Sequence, residues 1–171
     1  MPVPQRPVFL IGPRACGKTS VGRSLAQWLG WSFTDTDEAL QQRCGRTIAD
    51  ITATDGWDAF RQEESRTLRL VTAPRTVIST GGGMVLMPEN CAFMRAHGQI
   101  FYLCAPVSIL AERLARNPLA AQRPSLTGKS IAEEVEDVLR QRAPLYEQCA
   151  RHIVDATLPI PSLLRLIIHN L

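Results

Sequence analysis

The chain has 171 residues, 45% of them hydrophobic and 20% charged, with 19 Lys+Arg against 16 Asp+Glu. That length suits one domain with one core, and the composition excludes disordered, collagen-like and coiled-coil chains. Only Lys18 and Lys129 are lysines, and the other 17 basic residues are arginines; a net charge of +3 is a weak field for nucleic acid, so the rigid guanidinium forks point to small anionic partners.

Five cysteines, an odd number with no CxxC pair, read as reduced thiols rather than a disulfide framework or a zinc site. The start, Met1-Pro2-Val3-Pro4-Gln5-Arg6-Pro7, has no signal-peptide core, and no run reaches the roughly 20 apolar residues of a membrane span. A cytoplasmic monomer is expected, with neither membrane nor nucleic acid as partner.

In chain order, Val8-Phe9-Leu10-Ile11 is a continuous apolar run stopped by Gly12-Pro13, the pattern of a strand buried on both faces. Val21, Leu25, Trp28 and Leu29 then recur at helical spacing, and Gly30 closes that helix. Trp31 to Thr34 reads as a second strand that delivers Asp35-Thr36-Asp37 at its end. Residues 38 to 72 read as short helices, one opened by the capping box Thr47-Ile48-Ala49-Asp50. Thr76 to Ser79 is a third strand, broken by Gly81-Gly82-Gly83, and Ile100 to Cys104 a fourth, followed by a helix through Leu110, Arg113 and Leu114. Residues 117 to 129 carry two prolines and a glycine without a clean period, as functional lids do. Ser130-Ile131-Ala132-Glu133 caps a helix with the apolar stripe Ile131, Val135, Val138 and Leu139. His152 to Asp155 is a last strand, and Ile160 to Leu171 a last helix. Strands alternating with helices predict a three-layer α/β domain, a parallel sheet with helices on both faces.

Gly12-Pro13-Arg14-Ala15-Cys16-Gly17-Lys18-Thr19 spells GxxxxGK[ST] between a predicted strand and a predicted helix, the context that a phosphate-binding P-loop requires. The turn's backbone N–H groups and the helix N-terminus face a polyphosphate, Lys18 reaches the β and γ phosphates, and the Thr19 hydroxyl suits Mg²⁺. Ala15 is unusual, because a Cβ is crowded there if the position needs φ > 0. An Asn-Lys-x-Asp guanine motif is missing, and neither the third nor the fourth strand ends in a Walker B aspartate. The remaining carboxylates, Asp35 and Asp37, suit a small-molecule kinase.

If the second strand continues, Asp35 and Asp37 point to opposite faces at the carboxyl end of a strand, where α/β sheets bind ligands. Asp35 is then placed near the metal and Asp37 on an acceptor hydroxyl, whose proton it would take. The competing reading is a pair of solvated or helix-capping aspartates. Arg61 and Glu64, three apart, read by themselves as a surface ion pair. Arg142 falls four residues after Val138 on an apolar stripe that Tyr146 continues, so it needs an inward anion, either a structural carboxylate or a ligand. Arg123, beside Pro124, is either a solvated loop residue or a mobile arginine that closes on the γ phosphate. Gly81-Gly82-Gly83 strips side chains from a strand end and would let a ligand approach bare backbone.

Taken together, GxxxxGKT, Asp-x-Asp, Phe-Arg-x-x-Glu, Thr-Gly-Gly-Gly, Gln-Arg-Pro and the Arg-x-x-x-Tyr-x-x-x-Ala of Arg142 to Ala150 resemble shikimate kinase, from Leu10 to about Asp155. The Pro13-Arg14 and Cys16 spelling is closer to the type II branch than to type I. The resemblance implies a nucleoside-monophosphate-kinase-like fold with a mobile lid, and transfer of phosphate from ATP, with Mg²⁺, to the 3-hydroxyl of shikimate in aromatic amino-acid biosynthesis. It implies one P-loop kinase domain over 1–171, with the lid at about 115–129 and the substrate-binding helices at about 38–72. Carried over residue by residue, Thr19 and Asp35 serve the metal; Asp37, Arg61, Gly82 and Arg142 the shikimate; Gly12, Arg14, Ala15, Cys16, Gly17 and Lys18 the nucleotide. Lys18, Asp37 and Arg123 would act in catalysis, Arg123 from the lid onto the ATP phosphates, and Arg113 matches an arginine near adenine. A gluconate kinase and an arginine-rich nucleic-acid-binding ATPase are the alternatives.

Overall fold

Alternation along one apolar strand builds both halves of the core. In a computed structural model, which describes residues 5–117 and 128–171, β1 (Val8–Ile11) lies at the centre of a five-stranded parallel sheet and is buried throughout. Successive side chains of a strand leave opposite faces. Val8 and Leu10 therefore join one cluster, with Val21 and Leu25 of α1 (Lys18–Leu29) and Leu163 and Ile167 of α8 (Ile160–His169). Phe9 and Ile11 join the other, with Leu68 of α4 (Trp57–Val71), Met94 of α5 (Pro88–His97) and Tyr146 and Cys149 of α7 (Ile131–Cys149). This is the three-layer arrangement that the sequence predicts.

The strand order is β2 (Ser32–Asp35), β3 (Thr76–Ser79), β1, β4 (Gln99–Cys104) and β5 (His152–Asp155). Phe9 registers with Ile78 on one side and Ile100 on the other. A parallel sheet aligns its carboxyl ends along one edge, so the segments after β1, β2, β3 and β5 share one rim. A third small cluster, Leu40 of α2 (Thr36–Cys44), Ile48 and Ile51 of α3 (Ile48–Asp55) and Phe60 of α4, anchors the helices beside that rim.

The capping boxes at Thr47–Asp50 and Ser130–Glu133 are both formed, and Gly30 ends α1 in the left-handed conformation at φ 67°. Three readings are corrected. Residues 38 to 72 are not all short helices, since α4 runs for 15 residues. The second strand stops at Asp35, and Asp37 lies in the first turn of α2, because the Asp35 carboxylate accepts from the Asp37 and Glu38 amides and caps that helix. Ile131 is 46% exposed instead of heading a buried stripe. The first turn of α7, where residues 131 to 133 are all exposed, overhangs the core, whereas Val135 and Leu139 pack against it. A 3₁₀ turn (Met84–Leu86) and α5, in a stretch with no clear period, complete the chain, along with α6 (Val107–Arg116). The segment 118–127, with Arg123 and most of the expected lid, lies outside the described residues. Among those described, no helix is long and apolar enough to cross a membrane.

Candidate active site

The residues after β1 turn back over the start of α1. Gly12 (φ 145°) and Gly17 (φ 100°) adopt angles that suit glycine, and a Cβ at Gly12 would sit 2.8 Å from the Leu103 carbonyl oxygen. Ala15 takes φ 65°, so the position does need the left-handed region and here carries a side chain in it. Gly17 offers no capping side chain to α1, which leaves the first amides of this helix facing outward, the feature that makes a helix N-terminus an anion site. Lys18, only 9% exposed, holds its ammonium over the loop, donating to the carbonyl oxygens of Gly12 (2.7 Å) and Pro13 (2.8 Å). Cys16 is buried beneath it, its Sγ 3.6 Å from Lys18 Nζ.

Beside the loop, the Thr19 hydroxyl donates to Asp35 Oδ2 at 3.1 Å, while Asp35 Oδ1 caps α2. The second strand thus presents one carboxylate oxygen next to the threonine that follows the lysine. A cavity of about 590 Å³ runs from here along the P-loop, past Arg113 and Asn117 to Leu158 and Ile160, a volume in the range of ligand sites. Arg113 lines this cavity and also braces it, donating to the carbonyl oxygens of Ala15 (3.3 Å), Cys16 (3.3 Å) and Ala156 (3.0 Å).

A second recess, about 50 Å³, adjoins the first, since Arg14, Asp37 and Gly82 line both. Its polar surface is Arg14, Asp37, Arg61, Glu64 and Arg142, and its apolar wall Ile48, Trp57 and Phe60. Arg61 is held on three sides: Glu64 Oε2 lies 2.8 Å from its Nη1, and the rings of Phe60 and Trp57 lie 5.1 and 5.4 Å from its Cζ. The pair is not a surface salt bridge, because Glu64 is 1% exposed. Burial pushes the Glu64 carboxyl above the ordinary glutamate range, and the neighbouring Arg61 charge opposes that shift.

Two glycines of the triplet leave room for side chains of the recess itself. A Cβ at Gly81 would stand 2.5 Å from Glu64 Oε1 and 2.8 Å from Asp37 Oδ1; at Gly82 it would stand 3.7 Å from Arg142 Nη1; at Gly83 it would fall within the Arg61 guanidinium. Gly81 and Gly83 thus make room for the recess's own side chains, whereas a Cβ at Gly82 would make only ordinary contacts. The loop is tied down by the Gly81 amide, which donates to the Thr36 hydroxyl (3.0 Å), and by the Tyr146 hydroxyl, which donates to the Gly82 carbonyl.

All the sequence-predicted site residues that are described line one of the two connected spaces or the loop between them, Arg123 lying outside the described residues. Glu64 and Tyr146 escaped the site assignment, although both stand in the Phe-Arg-x-x-Glu and Arg-x-x-x-Tyr spellings. Spacing could not show that they are buried. Trp57 and Phe60 escaped it as well, and an aromatic three residues before another on a helix is most often core.

A phosphate loop opening onto a recess lined by the Asp37 and Glu64 carboxyls and the guanidiniums of Arg14, Arg61 and Arg142 defines a P-loop kinase for a small anionic acceptor. The shikimate kinase profile matches residues 14–170. The chain is 52% identical over 164 residues to "Shikimate kinase 2" of Yersinia enterocolitica, covering 96% of this chain and 94% of that one. It is 54% identical over 153 residues to the protein of that name from Dickeya chrysanthemi, covering 90% and 88%. The solved shikimate kinase of Acinetobacter baumannii, in complex with shikimate, superposes with a TM-score of 0.88 at 32% identity over 96% of this chain and 94% of that chain. The chain belongs to the shikimate kinase family, enzymes that phosphorylate shikimate with ATP.

Proposed function

We propose that the two connected spaces divide the reaction between them, ATP in the larger cavity and shikimate in the recess. The observation that carries this reading is the junction: Arg14, Asp37 and Gly82 line both spaces, so the two reactants would meet at the P-loop. Arg61 and Arg142 supply forked donors for the acceptor's carboxylate. Asp37, within the recess and at the mouth of the larger cavity, orients the 3-hydroxyl and takes its proton. The hydroxyl oxygen forms its bond to the γ phosphorus as the bond to the β–γ bridging oxygen breaks, and ADP leaves. Gly82 packs against Arg142, the outward amides after Gly17 hold the phosphates, and Lys18 swings from its loop carbonyls onto the β and γ oxygens.

Thr19 Oγ1 and Asp35 Oδ2, 3.1 Å apart, are hard oxygen donors of the kind Mg²⁺ takes one or two of, with phosphates and water completing its shell. They fit the ion, which when bound would neutralise phosphate charge. Among the described residues no group of three His, Cys, Asp or Glu could hold a metal. Arg113 flanks the base end of the cavity, and Arg123 is assigned to the phosphates on the motif alone. The chain is read as one P-loop kinase domain over 1–171, with a lid at about 115–129 and acceptor helices at about 38–72, working as a cytoplasmic monomer without membrane or nucleic-acid partners.

The test is ADP release by the purified protein with shikimate, gluconate or RNA. Stimulation by shikimate alone is expected, and an equal rate with gluconate would overturn the assignment of the recess. Protection of residues 117 to 129 from proteolysis by ATP plus shikimate is expected of a closing lid.

A further inference from the structure

Tyr146 lies fully buried on α7, four residues beyond Arg142, its ring 5.0 Å from that of Tyr102 on β4. A buried phenol needs a partner for its O–H. That partner is the Gly82 carbonyl, 64 residues away in sequence, in a glycine that lines the acceptor recess. Burial pushes the phenol up, and the hydrogen bond and charge of Arg142 beside it work the other way. The hydroxyl therefore ties α7 to the glycine peptide after β3, and the Arg142 guanidinium lies beside that same glycine.

We propose that Tyr146 is a positioning residue for the acceptor's carboxylate, setting the direction in which Arg142 and the Gly82 peptide face the recess. The proposal rests on the reading that Arg142 binds that carboxylate. Packing against Tyr102 does not require the hydroxyl, since a phenylalanine ring would fill the same space. It would leave the Gly82 carbonyl without this donor and Arg142 free to sample more rotamers, a freedom that acceptor binding would then have to remove. The effect belongs mainly on the acceptor side, because this hydroxyl gives its hydrogen bond to the Gly82 carbonyl and not to a P-loop residue.

Three variants test it: Tyr146→Phe, Arg142→Lys and the double. For Tyr146→Phe, KM for shikimate is expected to rise about tenfold, with kcat within about twofold and KM for ATP unchanged. Calorimetric titration of the folded variant with shikimate separates a weakened complex from a lost fold. The double variant should raise KM by less than the product of the single effects, since both act through one contact. If Arg142→Lys raises KM and Tyr146→Phe does not, or if the effects multiply fully, the proposal falls alone. If Arg142→Lys leaves KM unchanged, the proposal falls together with the carboxylate reading.

Discussion

The phosphate loop and the acceptor recess meet at Arg14 and Gly82 but are built in opposite ways. Eight consecutive residues, Gly12 to Thr19, form the loop, and its donors are mainly backbone amides positioned by two glycine dihedrals and a helix start. The recess takes Asp37 from α2, Arg61 and Glu64 from α4, Gly82 from the segment after β3 and Arg142 from α7. The loop is therefore a local device that tolerates distant change. The recess depends on several helices keeping their places, and on Gly81 and Gly83 staying out of the way.

The comparison breaks most readily at Lys18. Lys18→Ala should lower kcat about 10³-fold while leaving shikimate binding, measured by calorimetry, nearly intact. Asp37→Asn is expected to lower kcat about 10²-fold with little change in either KM, and a near-normal kcat would remove Asp37 from the chemistry.

Gly83→Ala sharpens the contrast. Its φ of −98° is open to any residue, and the atoms nearest the added methyl group are those of the Arg61 guanidinium, which would have to shift. The fold should survive, with KM for shikimate up about tenfold and KM for ATP unchanged; equal effects on both would show that the halves are not separate.

Glu64 supplies a pH test. Its native carboxyl titrates above the ordinary range because it is buried, so the native state keeps a proton that the unfolded chain has already lost. That contribution to stability is fully present at acid pH and is lost as pH rises from the ordinary glutamate range through the raised native value. Thermal scans of Glu64→Gln against the parent should show the variant gaining relative stability across that rise, and a difference independent of pH would refute the buried proton. The smallest effect is expected at Ala15, where φ is 65°. Ala15→Gly relieves left-handed strain of about 1 kcal/mol, partly offset by a more flexible unfolded chain. Denaturant melts should place the net gain below about 1 kcal/mol.

Much of the fold was legible because its signals are local. The strand Val8–Ile11, the αL glycine at Gly30 and the capping boxes at Thr47 and Ser130 each depend on a few adjacent residues. The Asp35–Asp37 geometry was misread because strand and helix compete for the same three residues, and the Asp35 cap decides for the helix. The helix α5 was not assigned from the sequence, and it buries only Asn90 and Met94, too few to mark an apolar stripe. Arg61–Glu64 looked like an ordinary i,i+3 surface pair, for burial is not encoded in spacing.

The amino-acid sequence by itself determined the order of the five strands, the phosphate loop and its cation, because backbone dihedrals, caps and apolar period act within a few residues. Only the tertiary structure decided that a glutamate is buried against Arg61, that a tyrosine hydroxyl joins α7 to the strand-end glycines, and that Gly81 and Gly83 clear space for side chains. Periodicity says which face of a helix turns inward. Which inward groups then meet is set by how α4, α7 and the end of β3 pack around one sheet, and the acceptor recess is made of those meetings.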